Sequence, residues 1–154
     1  MNEKLEIKGL RLIAAHNRNV QNNIANVIGN MANRMAEHDK SKYSAGELVL
    51  VVGKSALDGL EYNSPEYKDG LSRVQQGIDH HYANNSHHPE HYGVDGIKGM
   101  SLLDLIEMCC DWEAAAREHG STFLESINRN VERFCLSVEI QEILMNTGRE
   151  MGWI

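Results

Sequence analysis

Imidazoles and carboxylates are the groups in this sequence that could do chemistry, and their placement is uneven. Five of the eight histidines fall within "HHYANNSHHPEH" (80–91), and another opens "HDKSKYSAGE" (38–47) beside an aspartate. A third stretch, "SLLDLIEMCCDWEAA" (101–115), places Asp104, Glu107 and Asp111 three and four residues apart, on one helical face. Histidine nitrogens and carboxylate oxygens together suit Mn, Fe, Co, Ni or Zn, and Mg where carboxylates and water dominate. Thiolates are not required. Cys109, Cys110 and Cys135 have no C-x-x-C spacing, which argues against a zinc ribbon, and the adjacent pair reads as core packing. The sequence has no Walker loop, no G-x-G-x-x-G and no G-x-S-x-G.

Each stretch also has a plainer reading. "HDKSKYSAGE" could be the polar end of a helix, with Ser44 and Glu47 as a capping box. The 80–91 stretch could be a solvated loop. The acidic face of 101–115 could face water, with Leu102, Leu105, Ile106 and Cys109 turned to the core. Against that last reading, no lysine or arginine is interleaved with the acids before Arg117, and clustered carboxylates repel one another unless a cation compensates them. His16 lies in line with Ile13, Val20 and Val27 on an apolar face, where a lone histidine is usually a hydrogen-bonded core residue. On one straight helix His16 and His38 would stand ~33 Å apart, so sharing a metal demands a turn between them. Gly29-Asn30 is the place for it.

The elements that must position these groups read as helices. Apolar residues recur at three-and-four spacing from Leu10 to about Glu37, interrupted by Gly29. A second helix is expected from Ser44 to about Leu60, and a third from "NSPE" (63–66) to about Ala83. A long loop follows to residue 99. Ser101, Ser121 and Ser137 are expected to cap helices running to about 118, 134 and 151. "ELVLVV" (47–52) is the one β-like run. The expected fold is all-α, a single compact domain over 1–154 of roughly six helices, with the motifs in 10–118 and the C-terminal helices over 121–151.

The bulk properties narrow the partners. A net charge of −7 disfavours duplex nucleic acid. No run is apolar and long enough to span a membrane. The first residues lack a signal peptide's apolar core, so the cytoplasm, bacterial or that of a phage-infected host, is the expected compartment. A homodimer is compatible with everything above.

Taken in order, the three stretches resemble the DUF5662 family of phage and bacterial proteins. That family carries an HD-x-SK…E segment, an HH-x-x-x-N-x-HHPE segment and an EM-x-x-DW segment, matched here by 38–47, 80–92 and 106–115. More broadly, the H…HD…H…H…D order is similar to the HD-domain superfamily of metal-dependent phosphohydrolases. The resemblance implies an HD-like fold and a site for one or two divalent ions. It makes His16 the first histidine, His38 and Asp39 the paired ligands, and Asp111 the distal aspartate. The interval from His16 to His38 is shorter than the superfamily's usual one. His81 and His88 match the two further histidines, although spacing alone does not choose between His80 and His81, or between His87 and His88. The implied activity is hydrolysis of a small phosphate ester, with a nucleotide as the expected substrate. Asp39 would be the principal carboxylate and Glu107 a supporting partner or general base. Lys42 would be a phosphate contact and Asn85 a holder of water or substrate. Two alternatives from other classes are a di-iron oxygenase of the HD type and a non-catalytic protein that binds a nucleotide or a host protein.

Overall fold

The computed structural model of the chain describes residues 3–48, 60 and 64–154. The fold is all-α, with no strand among the described residues. Helix α1 is Glu3–Glu37, followed by a 3₁₀ turn at Lys40–Tyr43. Helix α2 begins at 45 and is described to 48; residues 49–59 of the expected Ser44–Leu60 helix, and with them the rest of "ELVLVV", lie outside the described residues, and Leu60 is a bend. Helix α3 is Pro65–Asn84, and a run of 3₁₀ turns occupies Pro89–Gly99. Helices α4 (Leu102–Glu118), α5 (Phe123–Arg133) and α6 (Val138–Glu150) complete the chain.

The chain divides into two compact units, residues 1–37 and 38–154. The first is α1. Its amide–carbonyl ladder continues through Gly29, and the Asn30 side chain donates to the Asn26 carbonyl at 2.9 Å. The turn that a metal shared by His16 and His38 would demand is therefore not made. About 30 Å of helix axis separates His16 from Glu37.

In the second unit, local chemistry sets the helix ends. Ser64 accepts from the Tyr67 amide at 3.1 Å, just ahead of Pro65. Ser101 and Asp104 form a reciprocal capping box at the start of α4. The start of α5 lies one residue later than expected, because Thr122 rather than Ser121 forms the box, with Glu125. Ser137 caps α6 as expected. The core joins Met108, Cys109 and Trp112 of α4 to Phe123 and Ile127 of α5, Leu136, and Leu144 of α6. At Gly148 a Cβ would fall 2.9 Å from the Phe123 ring, so only glycine permits this approach of α6 to α5. Within 85–99, expected as an open loop, the chain coils into 3₁₀ turns over Pro89–Gly99 and kinks at Gly93 and Gly96, both at positive φ.

The plain reading of α4 is overturned. Asp104 is buried, while Leu102 and Ile106 are exposed. Cys109 is in the core, but Cys110 is exposed. The acidic face is thus turned inward, and the polar partners that make this tolerable are those of the site described below.

With α1 continuous through Gly29, Gly29→Ala should stabilise the protein by about 0.5–1 kcal/mol, since the new methyl meets nothing within 4 Å and alanine is the better helix former. Denaturant unfolding checks this; a chain that turned at Gly29 would instead be destabilised.

Candidate metal centre

The site is built within residues 38–154 from four segments. The turn after α1 supplies His38 and Asp39, the C-terminal end of α3 supplies His81, the following segment supplies His87 and His88, and α4 supplies Asp111. Asp39 takes a left-handed conformation (φ 54, ψ 18), which aspartate tolerates better than most residues. Asp104 fixes the segment holding His87 and His88. Its carboxylate accepts from Ser86 Oγ at 2.7 Å, Tyr92 OH at 2.9 Å and the Ser101 amide at 2.8 Å. These bonds hold its carboxyl well below the usual range, against the effect of burial.

Two overlapping sets of donor atoms result. One joins Asp39, His81, His87 and His88, the other His38, Asp39, His87 and Asp111; in each, the atoms lie within 4.8 Å of one another. His81 Nε2 is 2.9 Å from His88 Nε2. Asp39 Oδ1 is 3.6 Å from both His81 Nε2 and His87 Nε2. Two donors bound to one ion at ~2.1 Å would stand about 3.0–3.4 Å apart, close to this spacing.

The outer nitrogens decide the tautomers. His81 Nδ1 donates to Glu47 Oε2 at 2.8 Å, and His38 Nδ1 to Glu107 Oε1 at 2.9 Å. His87 Nδ1 faces the same Glu107 oxygen at 3.2 Å. With the protons on Nδ1, the three Nε2 atoms present lone pairs to one another's neighbourhood and to Asp39. Asp39 Oδ1 and His87 Nε2 are buried without a hydrogen-bond partner. Lone pairs converging on lone pairs repel unless a cation lies among them. This donor set therefore fits a divalent metal ion, with Glu47 and Glu107 as the outer carboxylates that orient its histidines. Burial pushes the His88 imidazole down to about 3, with His87 and His81 acting in the same direction. His87 is lowered too, chiefly by burial. Neutral imidazole is the form that binds metal. Burial, joined by Asp39, raises Asp111.

The expected residues fare differently. His38, Asp39, His81, His88 and Asp111 are brought together. His87 joins them, so of the pair at 87–88 both residues face inward. His80 instead donates to Glu47 Oε1 at 2.6 Å and belongs to neither set. His16, exposed on α1, also belongs to neither set. Asn85 is buried beside the cluster, and its amide donates to Ser41 Oγ and to the His81 carbonyl, both at 2.7 Å. Glu47, expected as a capping partner, is fully buried instead. It accepts from His80, His81 and Ser41, and these bonds keep it ionised against its burial. A Ser-x-x-Glu spacing before a helix is also a capping signal, so Ser44–Glu47 gave no local sign of this role. Lys42 Nζ lies 2.5 Å from Asp39 Oδ2. Burial works against its charge, but Asp39 and the surrounding carboxylates hold its pKa above the ordinary value.

A helical chain with buried imidazoles and carboxylates converging on one point has the makings of a metal-binding protein. The chain belongs to the DUF5662 family, a family of unknown function, whose pattern it matches over residues 6–150. No curated protein and no solved structure matches it. Among the described residues, no helix is long and apolar enough to cross a membrane.

Glu47→Gln should weaken metal binding by about 10–100-fold, because an amide cannot accept from both His80 and His81 while keeping the negative charge behind the ligand. Competition against a chromogenic chelator measures this. Unchanged affinity in a folded variant would remove Glu47 from the centre.

Proposed function

We propose that this protein is a metal-dependent hydrolase of small phosphate esters, with nucleotides as the preferred substrate class. The observation that carries the reading is the pair of overlapping donor sets sharing Asp39, whose two oxygens face different groups of ligands. Such a carboxylate can serve two neighbouring ions, whereas the single inward nitrogen of His87 can serve one. Mn, Fe, Co, Ni and Zn match these donors, and Mg matches the carboxylate-rich set. A divalent ion supplies hydroxide near neutral pH and neutralises phosphoryl charge.

The chain's own residues do the rest. Glu107 receives His38 and His87 on one oxygen, which fits a positioning role better than that of a general base. Lys42, with its side chain about half exposed at 45%, can leave Asp39 for a phosphate oxygen as a point charge. His88 and Asp111 line a cleft of about 370 Å³, giving a small ligand access to the cluster. The resemblance of the residue order to HD-domain phosphohydrolases supports the same chemistry, as does the net charge of −7, which favours a small substrate over a polyanion. A di-iron oxygenase would use similar donors, but nothing in the site favours it.

The test is a screen of nucleotides and other phosphate monoesters and diesters with protein loaded in turn with each of these metals. Turnover is expected with at least one metal, and Asp39→Ala should lower it by about 10³-fold or more while the helical circular dichroism is retained. Absence of turnover with every metal would contradict the proposal and leave a binding protein in its place; oxygen consumption by the iron form would point to an oxygenase.

A further inference from the structure

The cleft bordered by His88 and Asp111 is also lined by Arg129 and Arg133, one turn apart on α5. The two arginines are held differently. Arg133 donates to Glu90 Oε1 at 2.6 Å and to Tyr82 OH at 3.3 Å, and its guanidinium lies 4.8 Å from the centre of the Phe134 ring. Its charge is met and its position fixed. Arg129 donates from Nη2 to Ser126 Oγ at 3.0 Å and to Ser121 Oγ at 3.3 Å, and it has no carboxylate partner among the described residues. Ser126 is itself buried, so the guanidinium is steered by neutral hydroxyls while its charge stays uncompensated. Of the carboxylates lining the cleft, Glu90 is taken by Arg133, and Asp111 belongs to the donor cluster. A guanidinium with free N–H groups matches phosphate oxygens in pairs, which an ammonium cannot do.

We propose that Arg129 anchors a phosphate group of the ligand in this cleft, which His88 and Asp111 also line. The inference rests on the hydrolase reading for its substrate but not for its test. Arg129 holds phosphate whether or not a metal is bound, and Arg133 with Glu90 forms the fixed wall beside it. The larger cleft of about 660 Å³ between Pro89–Lys98 and the start of α6 contains none of the clustered ligands and takes no part.

Inorganic phosphate titrated into chelator-treated protein, followed by phosphorus NMR, tests the anchor apart from the metal. Wild type is expected to bind phosphate, Arg129→Ala to bind it at least tenfold more weakly, and Arg129→Lys to fall between them. Because Arg129 is exposed, unchanged thermal unfolding of both variants is expected and shows that the fold persists. Equal affinity in wild type and Arg129→Ala, or no binding by wild type, overturns the proposal. For any ester the metal-loaded protein hydrolyses, Arg129→Ala should raise KM at least tenfold with a smaller change in kcat; an unchanged KM refutes the anchor and leaves the hydrolase. Phosphate binding that depends on Arg129 in a protein that turns over no ester refutes the hydrolase and leaves the anchor.

Discussion

The structure of the second unit depends on one electrostatic constraint. The Nε2 atoms of His38, His81 and His87 are brought to 3.5–3.6 Å from the Asp39 carboxylate, with their Nδ1 sides turned to Glu47 and Glu107. Left to themselves, these groups oppose folding. A divalent cation converts the same arrangement into a source of stability, since binding to the folded state alone is folding free energy. The outward protons are held by Glu47 and Glu107, each of which serves two histidines. Removing either carboxylate would free the imidazoles to rotate or to change tautomer.

The scaffold is arranged around that need. Met108, Cys109 and Trp112 of α4 join the apolar core while Asp111 of the same helix joins the cluster, so this helix carries both the packing and the site. Asp104 links the two functions. It caps α4 and also ties down the segment that delivers His87 and His88. Asn85 and Ser41 extend the network to the turn that holds Asp39. The left-handed backbone at Asp39 costs about 1 kcal/mol, a strain that the surrounding bonds sustain.

Much of this was legible in the sequence. Helical periodicity and serine caps located α3, α4 and α6 to within a residue or two, because those signals are local. The cluster of His38, Asp39, His81, His88 and Asp111 was legible only through the order of three motifs, since no local pattern ties residue 39 to residue 111. Spacing could not show that both His87 and His88 turn inward, because adjacent residues diverge on a regular helix but need not do so in the irregular segment between α3 and the 3₁₀ turns. Periodicity misplaced the acidic face of α4: an acid beside water and an acid beside buried histidines share the same three-and-four spacing. Glu47 was hidden by a competing local signal. Gly29 suggested a break that α1 does not make, as one glycine lowers helix stability without ending a helix.

Metal content is the most direct measurement. Protein purified without a histidine tag would be analysed for transition metals, and the bound ion examined by X-ray absorption. One or two equivalents per chain are expected, with a shell of nitrogen and oxygen at about 2.0–2.2 Å, imidazole scattering from several histidines and no sulfur. Failure to bind any divalent ion, even on titration with Mn or Mg, or a shell containing thiolate, would contradict the account.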